Sequence, residues 1–276
     1  MSDADSNTDE AWPSQTSFAE GLTLQLRVIG ALILREIHTR YARENIGFLW
    51  VVAEPMLFAG GVIAMRTILP FFPREQHGMS LIGFLMTGYL PFLVYRHMIG
   101  RCIHCVRANQ SVLYHRQVRI IDLYLTQLVL EGAGTVVAFA FGASVFVAFG
   151  LMDTPKNLFL LYTGWFYAIW FCGSLAMLLG AASELSSLVD KLYNPLSYLS
   201  LPLSGAFYMV NWLPHAWQDY ALYIPMVHFF EMIRGGYFGE ALTVHYDTAY
   251  ITGVCLVLTF GALQMVTIAR KRVAIA

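Results

Sequence analysis

Glu54, Arg66 and Glu131 are ionisable residues set inside long apolar runs. Such groups are costly in hydrocarbon and usually face a cavity or a partner. Glu54 stands one residue before Pro55, a position that suits a structural or gating role near the inner leaflet. Arg66 lies about three helical turns further on. It either lines a pore or snorkels to the outer interface, and both readings stand. Glu131 has a plainer role open to it, neutralising an arginine of a neighbouring helix. Cys102 and Cys105 form a C-x-x-C with His97 and His104 nearby, which is half of a zinc site. No second pair follows at a suitable distance, so reduced thiols are the better reading and no metal is expected.

Aromatic residues make up 14% of the chain. Trp12, Trp165, Trp212 and Trp217 need no role beyond interfacial belts. Tyr89 and Tyr95 flank Pro91, and Phe207 and Tyr208 follow Gly205. Aromatic faces with a polar tip suit a sliding polysaccharide, because they grip C–H faces without sequence-specific hydrogen bonds. Helix packing explains the same residues without any ligand.

Enzymatic chemistry has no foothold. The three lysines, Lys156, Lys191 and Lys271, do not follow a glycine, so no G-x-x-x-x-G-K-[ST] phosphate loop exists. If the chain uses ATP, another polypeptide binds it. Neither H-E-x-x-H nor G-x-S-x-G is present, the histidines are dispersed, and no catalytic residue is assigned.

The elements that must position these residues follow from composition. The chain is 57% hydrophobic and 13% charged, with a mean hydropathy of +0.57. Soluble domains carry roughly 25% charged residues. This is the composition of an all-α membrane protein. A span needs roughly 20 apolar residues, and six windows qualify: about 47–69, 79–99, 122–151, 158–183, 193–210 and 248–269. The fifth is the shortest and contains Pro195 and Pro202. With the N-terminus inside, thirteen basic residues fall on inner segments and three (Arg74, Lys156, Arg234) on outer ones. That asymmetry places both termini in the cytosol.

Two segments are neither loop nor span. Residues 18–45 place Leu22, Leu26, Ile29, Ile33 and Ile37 along one face, as in an amphipathic helix at the cytosolic interface. Residues 211–247 contain an apolar run, Leu222–Ile233, too short to span, which suits a re-entrant or interfacial hairpin on the outer side. The remaining divisions are a polar, acidic tail over 1–17, a six-helix domain over 46–270, a basic inner loop over 101–117 and a short inner tail over 271–276. The 1–17 tail has no basic start and reads as a disordered cytosolic segment rather than a signal peptide.

Two signatures then stand out. Leu34-Arg35-Glu36-Ile37, Arg40-Tyr41, Gly47-x-Leu49-Trp50 and Pro55 form the first. Ser204-Gly205-x-Phe207-Tyr208, Leu213-Pro214, Pro225-Met226-Val227-His228, Glu231 and Arg234 form the second. In this order, over about residues 20–270, they resemble the permeases of type-2 ABC exporters. The resemblance is to the capsular-polysaccharide branch (KpsM type), beside the O-antigen branch (Wzm type). Ile224 departs from the asparagine that many members of that family have before the proline.

The resemblance implies a bacterial inner-membrane homodimer of six-helix subunits, with two separate ATPase subunits (KpsT type) that hold ATP and Mg. No cofactor is implied in this chain. Further implied partners are a periplasmic co-polymerase or adaptor (KpsE type), an outer-membrane exporter and a lipid-linked acidic polysaccharide, with no nucleic acid. It implies a gate helix at 18–45, a coupling helix at 101–117 and an outer re-entrant segment at 211–247. Gate and coupling residues would be Arg35, Arg40, Glu54, Arg101, Arg107 and Asn109. The channel would be lined by Trp50, Arg66, Tyr89, Tyr95, Phe207 and Tyr208, and the re-entrant segment marked by Pro225, His228, Glu231 and Arg234. Rival expectations are a permease for O-antigen or teichoic acid, and an integral-membrane glycan-modifying enzyme.

Overall fold

The structure is a computed structural model that describes residues 18–41, 57, 61, 75–76, 79–113 and 118–273. The expected first span, with Trp50, Glu54 and Arg66, lies outside the described residues apart from Leu57 and Gly61. The side chain of Arg40 also lies outside them.

Among the described residues the regular structure is helical apart from one short antiparallel ladder. Helix α1 covers Phe18–Tyr41. Strands β1 (Glu75–Gln76) and β2 (Met79–Ser80) pair Glu75 with Ser80 and Gln76 with Met79. Helix α2 runs Leu81–Ala108 and starts where Ser80 Oγ accepts the Gly83 N–H at 3.0 Å. A single turn, α3 (Gln110–Leu113), follows. Helix α4 is Ile120–Ala148, and its Asp122 carboxylate accepts the Arg119 N–H at 2.9 Å. Helix α5 is Leu158–Leu185, with Asn157 accepting the Leu160 N–H at 3.1 Å. Helix α6 is Ser187–Leu203. A 3₁₀ turn at Val210–Trp212 leads to α7 (His215–Leu222) and α8 (Pro225–Phe238). Pro225 begins α8 where its missing N–H costs nothing. A second 3₁₀ turn, Gly239–Ala241, precedes α9 (Thr248–Val273), whose last turn holds Arg270, Lys271 and Arg272.

At about 1.5 Å per residue, α2, α4 and α5 are each roughly 42 Å long, more than the hydrocarbon core of about 30 Å. Three described helices are both long and apolar enough to cross a membrane: α4, α5 and α9. Helix α5 is central and packs against α9, α2 and α8. Its link to α9 is polar as well as apolar: Tyr167 meets Thr252 at 2.8 Å, while Trp170 and Ser174 meet Thr259 at 3.0 and 2.8 Å. Such hydroxyl bridges are a usual glue between helices in lipid.

The helix ends differ from the sequence expectations in three places. Helix α2 does not stop at 99; the expected coupling segment 101–117 begins as its last two turns. Cys102, Ile103, Cys105 and Val106 are all buried, so the packed face simply continues. Helix α6 stops at Leu203, and Gly205 takes φ +90°, a left-handed conformation that L residues avoid. Phe207 and Tyr208 therefore stand in a turn, not mid-span. Third, α8 runs Pro225–Phe238 where the expected apolar run is Leu222–Ile233, and Met226 through Phe238 are all buried within the fold.

In α1, the residue sunk into the core is Leu32, at 7% exposed, while Leu22 and Leu26 of the expected stripe stand 48% and 62% exposed. The cysteines Cys102 and Cys105 behave as small hydrophobes within the same core cluster.

Candidate functional site

The paired and buried charged side chains of the described residues form two sets. At one end of the bundle, His97, Arg101, His104 and Arg107 fall on one face of α2, each three or four residues from the next. Three other helices answer this basic face with carboxylates. Glu131 of α4 lies 3.5 Å from Arg101 and 3.8 Å from His97. Glu184 of α5 lies 3.9 Å from Arg107. Asp190 of α6 lies 3.2 Å from Arg107 and 3.7 Å from His104. Arg107 also donates to the Ser183 carbonyl at 3.2 Å. Glu131 thus neutralises an arginine of a neighbouring helix, as one reading of the sequence has it. Arg101 is 57% exposed, so its pair is screened and worth little as stability. What the set provides is registration of four helices.

Helix α1 is tied to the same end. Arg35 donates to Asn109 Oδ1 at 2.9 Å, and the Asn109 amide donates to the Cys105 carbonyl at 2.9 Å. Further up, Gln25 donates to Asp122 at 3.0 Å. Arg35 and Asn109 are thus brought together, while Arg101 and Arg107 are each paired with carboxylates of other helices.

At the opposite end, His228, Glu231 and Arg234 recur every three residues along α8 and act as three clasps on surrounding backbone. Arg234 is fully buried. Its guanidinium donates to the carbonyls of Gly205, Tyr208 and Ala206, and its carbon sits 4.0 Å over the Phe84 ring. Burial lowers its pKa to about 9, offset by the Glu231 and Tyr208 groups, so it remains charged at neutral pH. Gly88 on α2 is required by this arrangement, since a Cβ there would stand 2.1 Å from the Ala206 oxygen.

Glu231 accepts the N–H groups of Val210 and His245, each at 3.0 Å. Burial raises its carboxyl; those two N–H donors and Arg234 pull it back. His228 Nδ1 accepts the Asp247 N–H at 2.9 Å. Its Nε2 must then carry the proton and donate to the Leu222 carbonyl at 2.9 Å. Burial lowers this imidazole, opposed by Leu222 and Asp247, and the ring is held neutral. Arg234, one of the three basic residues that the charge count assigns to outer segments, is thus buried within the fold. Pro225 sets the start of the helix that carries all three.

The aromatic candidates are divided. Tyr95 is buried, with its ring 5.5 Å from Phe92. Tyr89 is partly buried against the core. Phe207 is 37% exposed. Tyr208 donates its hydroxyl to the Leu203 carbonyl at 2.9 Å. Because Gly88 abuts Ala206, Tyr89 and Phe207 follow residues that touch. Sequence reasoning missed Tyr193 and Tyr198 on α6. Tyr193 donates to the Arg96 carbonyl at 2.5 Å, and the Arg96 guanidinium lies 4.8 Å over Tyr198. It also missed Glu184 and Asp190 as partners of α2, although the helical spacing of 97, 101, 104 and 107 would have pointed to an acidic answer.

A cleft of about 580 Å³ opens beside the clasped end. It is bounded by α7, by His228 and by residues 244–250.

The family profile for "ABC-2 type transporter" matches residues 27–238. The capsule polysaccharide export inner-membrane protein BexB of Haemophilus influenzae is 37% identical over 252 residues, 91% of this chain and 94% of that protein. The capsule polysaccharide export inner-membrane protein CtrC of Neisseria meningitidis serogroup B is 37% identical over 253 residues, covering 92% and 95%. The polysialic acid transport protein KpsM of Escherichia coli is 26% identical over 234 residues, covering 82% and 88%.

Proposed function

The chain belongs to the ABC-2 type transporter family, and from that premise we propose that it is the permease subunit of an ATP-driven exporter of capsular polysaccharide. The observation that carries this reading is the 37% identity, over nearly the full length of both chains, to inner-membrane proteins of capsule export. The permease is a multi-pass inner-membrane protein and not itself an enzyme. Its ATPase, with ATP and Mg, is a separate subunit of the KpsT type.

In this reading six spans cross the membrane, the first over about 47–69, and both termini are cytosolic. The charge distribution of the sequence supports that orientation. The basic end of the bundle then faces the ATPase, and the clasped end faces the periplasm. Two permeases and two ATPase subunits form the transporter, with a periplasmic adaptor and an outer-membrane exporter beyond.

The mechanism follows from the two ends. ATP binding closes the ATPase pair, which pushes on the tip of α2 and on α3. The Arg35–Asn109 bond carries that push to α1, the gate helix. The ion pairs of Arg101 and Arg107 carry it to α4, α5 and α6. Arg40 and Glu54 complete the gate. Trp50, Arg66, Tyr89, Phe207 and Tyr208 line the path of a lipid-linked acidic glycan, with Arg66 attracting its charge; Tyr95, buried in the core, is left out of that path. The clasps of α8 keep the outer end rigid while the inner end is driven.

Deleting the chain in its native cell tests the function. Surface capsule should vanish while lipid-linked glycan accumulates in the cytosol, and plasmid-borne chain should restore both. Loss of capsule with no intracellular glycan would point to a role in synthesis instead.

A further inference from the structure

The 580 Å³ cleft lies within the range of small-molecule sites, about 300–1,000 Å³. Its walls combine two kinds of group. Tyr223, Tyr246 and Tyr250 supply aromatic faces, with Tyr223 72% and Tyr246 38% exposed. Asp219 and Asp247 supply carboxylates, and His245 an imidazole. Leu222 and Val244 add an apolar surface.

The walls are fixed rather than loose. The Tyr250 hydroxyl donates to the Tyr223 carbonyl at 2.7 Å, joining the two sides of the cleft. The Tyr250 ring packs 5.0 Å from His228, which is itself held at both nitrogens. One oxygen of Asp247 is committed to the N–H groups of Ala249 and Tyr250 at 2.8 and 3.1 Å. The Asp219 side chain is exposed at the rim.

We infer that this cleft is a saccharide subsite that takes one or two uncharged sugar units. Tyrosine faces match the C–H faces of a sugar ring, and carboxylates accept hydrogen bonds from its hydroxyls. Among the described residues that line it there are two carboxylates and no lysine or arginine, so it repels a carboxylated or phosphorylated unit. The cargo's identity as a glycan rests on the exporter reading. The subsite deepens it by selecting the uncharged units of the repeat on the face where the chain emerges.

The test is saturation-transfer NMR on the purified full chain in detergent, without ATP. The probes are N,N′-diacetylchitobiose (uncharged), a sialic acid dimer (anionic) and trilysine (cationic). Diacetylchitobiose should bind, and the sialic acid dimer should not. Tyr246→Ala and Asp219→Asn should each weaken the dissociation constant about fivefold or more. Both side chains are exposed, so melting temperatures should stay unchanged. Silence from diacetylchitobiose, binding that both variants leave intact, or preference for the sialic acid dimer or trilysine would overturn the subsite. Binding needs no ATPase and export does. Export with a silent cleft therefore sinks only the subsite, and binding without export sinks only the exporter.

Discussion

Arg35 donates a hydrogen bond to Asn109 at 2.9 Å, joining the N-terminal helix to the turn that ends α2. The two residues are 74 positions apart, so the bond is tertiary. Asn109 is buried and its amide is already committed to the Cys105 carbonyl, which leaves its oxygen aimed at Arg35. A double-mutant cycle with Arg35→Ala and Asn109→Ala should give a coupling of about 1 kcal/mol in unfolding free energy. Export per ATP hydrolysed should fall in both single variants and no further in the double. Additive losses in export would show that the bond transmits nothing.

Arg107 separates registration from stability. It reaches Asp190, Glu184 and Ser183, yet its side chain is 43% exposed. Arg107→Ala should therefore cost less than about 1 kcal/mol in thermal unfolding. Its effect on export should be larger, because three helices lose a shared anchor. Normal export with a large drop in melting temperature would reverse this assignment.

Arg234 should behave the opposite way. Arg234→Ala strands three carbonyls and empties a buried site, and should cost at least about 3 kcal/mol. Arg234→Lys should rescue little, since an ammonium cannot reproduce the planar fork. Membrane abundance and melting temperature in detergent report both. Gly88→Ala should destabilise through the same turn, by collision with Ala206.

How much of this was legible in the sequence depends on what bounds each element. Helices α4, α5 and α9 follow long apolar runs, and their observed ends lie close to the expected ones. The end of α6 was not legible, because a fifth span drawn through Gly205 takes hydrophobicity for helix, whereas the backbone turns left-handed there. The clasps of α8 were not legible for a different reason. His228, Glu231 and Arg234 mark the outer segment by resemblance alone. They are satisfied by loop backbone, which no residue pattern encodes. Glu131 was legible as a counter-charge because an acid inside an apolar run needs one. The identity of its partners, Arg101 and His97, required knowing which helices touch.

His228 predicts a pH dependence. Its folded value lies below the ordinary 6.5, so the unfolded chain takes up the proton first. The stability it contributes is complete above 6.5 and is lost as pH falls from there toward the folded value. Glu231 acts in the other direction: its folded value lies above 4.5, so its contribution is complete below 4.5 and is lost as pH rises from there. Comparison with His228→Phe isolates the first effect. The variant should be less stable by about 1–3 kcal/mol at pH 7.5, and the gap should narrow on acidification. A gap independent of pH between 7.5 and 5 would mean that the imidazole is not held neutral.

The aromatic path has its own test. Tyr89→Ala and Phe207→Ala should each slow export about two- to tenfold at normal membrane levels. Unchanged export in both would remove them from the path.

The central claim is that this chain carries glycan only when a separate ATPase drives it. The direct measurement is transfer of purified lipid-linked capsular polysaccharide into the lumen of proteoliposomes. These would hold the chain with its ATPase subunit, or with that subunit disabled in its phosphate-loop lysine. Lumenal glycan should appear with ATP and the intact subunit, and fall to background with the disabled one. Equal transfer in both preparations would contradict the account.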